Sequence, residues 1–157
     1  MDLLEALGDP GTRVLDFRPI PAFLGGHVPG SIHLPEPPDT ASGLPDGLAR
    51  GLAAELAGMT RWILLHPLLP PGPGLLATWC GAGHRLHTIG EITPFEVEDL
   101  RAVGEVELVD AGGPTPLQVK ARPRVPVAVV GATLPIRALA ASLLLRRGTP
   151  DVLVLVD

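Results

Sequence analysis

The chain has 157 residues, of which 46% are hydrophobic and 18% charged, and this composition favours a folded core and excludes wholesale disorder. Its formal net charge of −5 argues against a nucleic-acid surface, which needs clustered lysine and arginine. The most apolar stretch, residues 62–79, is broken by four prolines, so the sequence predicts no membrane span. A single cysteine and the lack of a basic leader segment predict a cytoplasmic protein.

Apolar spacing and turn residues divide the chain into strands and helices that alternate. In chain order the predicted elements are a short helix at 2–7, strands at 13–18 and 31–34, a proline-rich loop at 35–45, helical spacing at 46–65, a turn at 69–74, a strand-like run at 75–79, a helix at 93–103, strands at 106–110 and 126–130, a helix at 134–147 and a strand at 152–156. The alternation predicts an α/β fold with a parallel sheet flanked by helices. In such sheets, ligands bind at the carboxyl ends of the strands.

Two motifs stand close together in the N-terminal third. One strand ends in Asp16-Phe17-Arg18, and a tight turn, Gly26-His27-Val28-Pro29-Gly30, leads into the next strand. Glycine and proline fall where such a turn needs them. The order and spacing of these residues resemble the N-terminal signature of the rhodanese-like sulfurtransferase family. The resemblance implies a rhodanese-like fold, a reaction that needs no cofactor, and structural roles beside the active-site loop for Asp16, Arg18 and His27.

The segment from Cys80 to Arg85 fits the family's active-site loop pattern, Cys-x-x-Gly-x-Arg. In the family, the loop cysteine carries a sulfane sulfur, as a persulfide, from a donor such as thiosulfate to a thiophilic acceptor. The resemblance therefore makes Cys80 and Arg85 the candidate catalytic residues. The candidate substrate-binding residues are those between them, Gly81, Ala82, Gly83 and His84. Small residues let backbone N–H groups converge on an anion, and a closing arginine adds charge. The alternative is a structural cysteine beside Trp79.

A second candidate loop follows the predicted strand at 126–130. Strand, loop, helix and final strand resemble the C-terminal part of a rhodanese, but the residue at the catalytic position is Gly131. Arg137 closes this degenerate loop, although a solvated helix residue is the simpler interpretation. The loop is longer than the first one and contains Pro135, which lacks an N–H. It has no nucleophile, so we expect it to bind an anion at most.

The resemblance allows two divisions of the chain. In one, a single domain runs from 1 to 113, and residues 114–157 repeat its final third. In the other, a rhodanese-like unit at 1–90 precedes a shortened, degenerate unit at 91–157 that lacks the catalytic cysteine. A helix, a glycine and a strand ending in aspartate recur in the two units. The capping box at Thr93 starts a helix there and favours the second division.

Two functions are compatible with these residues. The first is sulfur transfer through a cysteine persulfide, with a small-molecule sulfur donor or anion and a thiol acceptor as partners. The second is a catalytically inactive rhodanese-like module that binds an anion or a protein partner, and Gly131 favours it. His84 and His87 have helical spacing, but two histidines without further ligands predict no metal site. We expect neither nucleic acid nor a membrane as a partner.

Overall fold

The computed structural model of this chain describes residues 2–34, 44–66, 74–119 and 125–157. The helices in these ranges are α1 (Leu3–Gly8), α2 (Ile20–Gly25), α3 (Asp46–Ala57), α4 (Gly74–Gly81), α5 (Pro94–Ala102) and α6 (Leu134–Arg146). The strands are β1 (Thr12–Asp16), β2 (Ile32–His33), β3 (Arg61–Leu65), β4 (Gly90–Ile92), β5 (Glu107–Asp110), β6 (Val127–Val130) and β7 (Val152–Leu155). No helix among the described residues has the length and hydropathy required to cross a membrane.

The strands form two sheets, one with the order β2-β1-β3 and one with the order β4-β7-β6-β5. Every pair of neighbouring strands in them is parallel. In the first sheet Leu15 of β1 pairs with Ile32 on one side and with Leu64 on the other. All residues of β1 are buried, as expected for a strand that is covered on both faces. The predicted α/β fold with parallel strands flanked by helices is confirmed, although the strands are divided between two sheets.

Helix α6 lies between the two sheets and belongs to the core of both. Residues 137–144 are all buried, and a helix that is covered on every side is an interior helix. Towards the first sheet, the backbone N–H of His33 donates a hydrogen bond to Ser142 Oγ at 3.1 Å. Towards the second sheet, α6 packs against β6 and β7. One cluster of buried side chains contains Leu15 of the first sheet and Val129 of the second, so the two sheets share this core cluster.

Polar contacts hold the carboxyl end of α6 against α3 and the 26–30 turn. Arg146 Nε lies 2.7 Å from the Glu55 carboxylate, on α3. The Nη1 group of Arg146 donates to the carbonyl oxygen of Gly30 at 3.0 Å. Arg147 lies 3.6 Å from the same carboxylate. The position of α6 against α3 and the 26–30 turn is therefore fixed by charge as well as by packing.

The outer faces of the two sheets are covered differently. On the first sheet, α1 and α4 contact each other and bury Val14, Ile63 and Leu65. On the second sheet, α5 packs against the outer face through Val97. Among the described residues, it is the one helix that contributes side chains to the buried cluster on this face. Three leucines on this face, in β5 and β7, are only partly buried: Leu108, Leu153 and Leu155.

Several local signals of the sequence are confirmed by the structure. Asp2 caps α1 and Thr93 caps α5, each through a reciprocal capping box with a glutamate three residues later. Gly148, with φ of +98°, follows the last turn of α6, where a residue with a Cβ would be strained. The predicted helix at 134–147 and the strands at 106–110, 126–130 and 152–156 are present within one or two residues at each end.

Two element predictions are wrong, and both concern short apolar runs. Residues 46–65 are not one helix, because α3 ends before Gly58 and residues 61–65 form β3. Residues 75–79 are not a strand, because they belong to α4. A run of four to eight apolar residues fits a buried strand and a buried helix equally well. Strand β4 was not predicted. Residues 35–43 of the proline-rich loop and 69–73 of the predicted turn lie outside the described residues.

Candidate functional site

Cys80 lies in the last turn of α4, and its side chain is exposed. The amides that follow it do not converge on the thiol, since they are bonded to carbonyls of the same helix. Ala82 N donates to Thr78 O at 3.2 Å, and Gly83 N donates to Cys80 O at 3.0 Å. Gly83 has φ of +88°, the left-handed conformation that commonly closes a helix. Residues 81–84 therefore form a helix cap, and the predicted setting of a loop at the tip of a strand is wrong.

The rest of the Cys-x-x-Gly-x-Arg segment folds back on the same helix. The His84 ring stacks on Trp79, with ring centroids 4.3 Å apart. The indole Nε1 of Trp79 donates to the carbonyl oxygen of Arg85 at 2.9 Å. The side chain of Arg85 is exposed. Cys80 thus lies at the carboxyl end of a helix, which is the negative end of the helix dipole. A thiolate is stabilised by the positive end or by a nearby cation.

The strand that ends beside the N-terminal Asp16-Phe17-Arg18 motif is β3, and the residue that follows it is His66. Phe17 N donates to Leu65 O at 2.9 Å, so the carboxyl ends of β1 and β3 adjoin. The rings of Phe17 and His66 lie 6.3 Å apart. In a parallel sheet this is where a ligand-binding loop begins. The sequence prediction missed His66 because residues 61–65 were assigned to a helix. Residues 67–73, which follow it, lie outside the described part of the chain.

Asp16, Arg18 and His27 lie together at the carboxyl end of β1. The Asp16 carboxylate is fully buried and accepts a hydrogen bond from Arg18 Nη2 at 2.9 Å. The same Arg18 nitrogen donates to the carbonyl oxygen of Gly26 at 2.7 Å, which ties the strand end to the turn. The His27 ring stacks on Phe23 with a centroid distance of 4.1 Å, and its Nδ1 lies 3.0 Å from the Phe23 carbonyl oxygen. These contacts brace the turn, and of the three side chains only that of Arg18 is partly exposed.

Two histidines in this cluster are buried in the neutral form. Burial lowers the pKa of His27 to about 4, and the Phe23 carbonyl opposes that change only in part. Burial also lowers the pKa of His33, whose Nε2 lies 2.9 Å from the Arg18 carbonyl oxygen. His27 Nε2 and His33 Nδ1 have no hydrogen-bond partner among the described residues. Protonating either ring would therefore place an uncompensated charge in the core.

We expect acid to destabilise the protein through these rings. An unfolded histidine binds a proton near pH 6.5, whereas His27 in the folded protein binds one only near pH 4. The unfolded state therefore holds more protons in this window, so the stabilisation is complete above pH 6.5 and is lost as the pH falls towards 4. His27 alone should lower the free energy of unfolding by about 2 kcal/mol between about pH 7.5 and pH 5 in urea titrations. His27→Gln should reduce that slope, and His84→Gln, at an exposed histidine, should not. An unchanged slope in His27→Gln would refute the assignment.

The second candidate loop, which follows β6, has a carboxylate of the same chain packed against it. Gly131 and Ala132 have φ of +79° and +50°, a left-handed pair that turns the chain from β6 into α6. A Cβ at Gly131 would collide with the Asp110 carboxylate at the end of β5. That carboxylate also accepts the Gly112 N–H at 2.9 Å. The position that the sequence analysis compared with a rhodanese's catalytic cysteine is therefore a glycine with a negative group beside it.

Arg137 is buried, so its interpretation as a solvated helix residue is wrong. Its Nη1 lies 3.4 Å from the carbonyl oxygens of Gly131 and Ala132, and its Nη2 lies 2.9 Å from Asp157 Oδ1. Its Nε has no partner among the residues that the structure describes. The guanidinium is thus directed at carbonyls and a carboxylate of the same chain. With Asp110 at the other side of the loop, this arrangement leaves little positive charge for an external anion.

The remaining histidines of the sequence analysis are not brought together. His87 forms a pair of backbone hydrogen bonds with His27, with N–O distances of 2.8 and 2.9 Å. His84 stacks on Trp79 instead. Within the described ranges, no group of three or more histidine, cysteine, aspartate or glutamate side chains could hold a metal ion.

Comparison with known proteins places this architecture in context. Residues 1–61 match a family model described as the rhodanese-like domain. The matched segment contains Asp16, Arg18 and His27, and it ends before Cys80 and before the 131–137 loop. No curated protein matches the chain. Among solved structures, the crystal structure of a 3-mercaptopyruvate sulfotransferase from Escherichia coli is similar at 16% sequence identity, with a TM-score of 0.32, over 98% of this chain and 94% of that one.

Proposed function

Since residues 1–61 of this chain are rhodanese-like, we propose that the protein is a catalytically inactive rhodanese-like module that acts by binding a protein partner. The observation that carries the proposal is the place of Cys80, the single cysteine, in the last turn of α4. The amides after it are already bonded to helix carbonyls, so they are not available to hold a sulfur anion.

Sulfur transfer makes a defined chemical demand that this chain meets poorly. A cysteine thiolate attacks the outer sulfur of thiosulfate, a new S–S bond forms, and the original S–S bond breaks as sulfite leaves with its electron pair. Both the thiolate and the persulfide need positive charge or N–H donors around the sulfur. Cys80 faces the carboxyl end of α4, and the loop that follows β6 has Gly131 where a nucleophile is needed.

We further propose two rhodanese-like units, at 1–90 and 91–157, of which the second is shortened and degenerate. In each unit the first helix is started by a capping box, at Asp2 and at Thr93. Each continues into a strand that ends in an aspartate, Asp16 or Asp110. The boundary at residue 90 falls at the first residue of β4, which is the first strand of the second sheet in chain order. This division supports a binding role, since neither unit combines the N-terminal motif with a nucleophile at the tip of a strand.

A second candidate function is sulfur transfer through Cys80, and one observation favours it. The thiol is exposed, and Arg85, a cation, lies five residues further along the same segment. Under this candidate, a donor reaches Cys80 from solvent, and the Arg85 guanidinium swings over the thiol to hold the leaving anion. The two functions differ in whether a sulfur atom is ever covalently attached to the protein.

Intact mass after incubation with thiosulfate, or with an organic persulfide as an alternative donor, distinguishes the two functions. We expect no added sulfur on the wild-type protein and the same result for Cys80→Ser. We also expect thiocyanate formation in the presence of cyanide to stay at the rate of the buffer for both proteins. A gain of one sulfur atom in the wild type alone, removed by cyanide, would overturn the proposal and establish Cys80 as a persulfide carrier. Circular dichroism of both proteins checks that they are folded.

A further inference from the structure

Helix α5 is the most exposed helix of the second sheet. Among its residues only Val97 is buried, whereas Phe95 is 75% exposed and Val103, which follows the helix, is 66% exposed. Phe95, Asp99, Ala102 and Val103 are spaced at intervals of three, four and eight residues, so they form one stripe along the helix. Val97 is about 200° around the helix from Phe95, so the stripe points away from the sheet. We call these four residues the α5 stripe.

The first sheet shows what normally covers such a face in this chain. There two helices, α1 and α4, lie in contact on the outer face, and Leu65 of β3 and Leu75 of α4 are almost completely buried between helices and sheet. On the second sheet α5 has no second helix against it among the described residues, and Leu153 and Leu155 remain partly exposed. In the part of the chain that the structure describes, the outer face of the second sheet is thus covered by one helix and that of the first by two.

The charges around the α5 stripe indicate what kind of helix fits there. The segment 91–105 carries five exposed carboxylates, which give it a negative surface: Glu91, Glu96, Glu98, Asp99 and Glu105. The basic side chain in this segment is Arg101 alone. A second copy of this chain would bring the same carboxylates face to face, and like charges at an interface disfavour association. A basic partner with an apolar face is complementary to both the charge and the exposed Phe95.

We propose that the α5 stripe is a docking surface for a basic amphipathic helix of a partner protein. This inference rests on the proposed binding function, and it names the surface and the partner. The partner's apolar side chains would cover Phe95 and Val103, and its lysine or arginine side chains would face the surrounding carboxylates. A helix with apolar residues at intervals of three and four is the shape that packs along such a stripe.

The test uses a fluorescently labelled synthetic helix of leucine and lysine, roughly 18 residues or five turns long, and fluorescence anisotropy with the full chain. A peptide with the same leucine pattern and glutamate in place of lysine is the control for charge. We expect the leucine–lysine peptide to bind and the leucine–glutamate peptide not to bind. Phe95→Gln should weaken binding by about tenfold. Trp62→Gln removes a comparably exposed aromatic ring, 60% exposed, from the first sheet and should leave the affinity unchanged.

Three outcomes would overturn the inference. The first is an affinity that is the same for Phe95→Gln and the wild type, the second is equal binding of the two peptides, and the third is no binding of the leucine–lysine peptide. Analytical ultracentrifugation addresses the rival occupant, because a dimer that Phe95→Gln abolishes would assign the stripe to a second copy. Both substituted side chains are exposed, so neither variant should unfold the protein. The persulfide measurement on Cys80 is independent of this test, so failure of the inference can be told apart from failure of the binding function.

Discussion

Replacing Gly131 with cysteine is expected to destabilise the protein and to create no sulfurtransferase activity. Gly131 has φ of +79°, and a residue with a Cβ is strained there. The new side chain would also meet the Asp110 carboxylate. Together these effects should lower the free energy of unfolding by about 3 kcal/mol, as measured by urea denaturation. The Asp110 carboxylate would in addition repel a thiolate at this position.

A double variant separates the two contributions. Gly131→Cys in an Asp110→Ala background removes the collision and the negative charge but keeps the backbone strain. We expect it to recover part of the lost stability relative to Asp110→Ala alone, with about 1–2 kcal/mol still missing. A Gly131→Cys protein as stable as the wild type, or one that takes up sulfur from thiosulfate, would show that the loop is open and that this description of it is wrong.

Replacing Leu139 with alanine is expected to lower the free energy of unfolding by about 3–5 kcal/mol, since Leu139 is fully buried in the cluster shared by the sheets. Both tryptophans of the chain, Trp62 and Trp79, belong to elements of the first sheet. Leu139 belongs to α6, which follows a strand of the second sheet. We therefore expect the denaturation midpoint measured by tryptophan fluorescence to shift by the same amount as the midpoint measured by circular dichroism.

Leu145→Ala is the matched control for this prediction. It makes the same change in side-chain volume and helix propensity on the same helix, but at a partly buried position, so it should cost markedly less. If Leu139→Ala moved the circular dichroism midpoint and left the tryptophan midpoint in place, the two sheets would unfold independently. The shared core described above would then not be a cooperative unit.

The parts of the fold that were predicted correctly are those with strong local chemistry. Thr93, Pro94 and Glu96 together specify the start of α5, because they satisfy N–H groups that have no partner inside the helix. Gly148 specifies the end of α6 in the same local way. Strands β5, β6 and β7 were identified because their apolar runs are short and lie between clear turns. Each of these signals acts within a few residues, so a single sequence contains it.

The structural surroundings of Cys80 and Arg137 were predicted poorly for two physical reasons. A glycine with positive φ closes a helix as readily as it shapes an anion-binding loop, so Gly83 in Cys-x-x-Gly-x-Arg does not distinguish the two. The context that does distinguish them, helix or strand before Cys80, depended on an ambiguous run at 75–79. The burial of Arg137 could not be predicted either, because its partner Asp157 is distant in sequence.

The helix that both sheets share also determines the order of events while the chain is being made. In most chains the N-terminal part folds first during synthesis. Here the inner face of the first sheet, with Leu15, Ile32 and Leu64, is covered by α6, so it cannot be buried until residues up to Arg146 have been made. After β3 has been synthesised, about 80 further residues must be added, which at about 5–20 residues per second takes roughly 4–16 s. During that interval the nascent chain exposes an apolar sheet face that has not yet received its cover. Ribosome-bound chains that stop before α6 should therefore be far more sensitive to protease than chains that extend past Asp157.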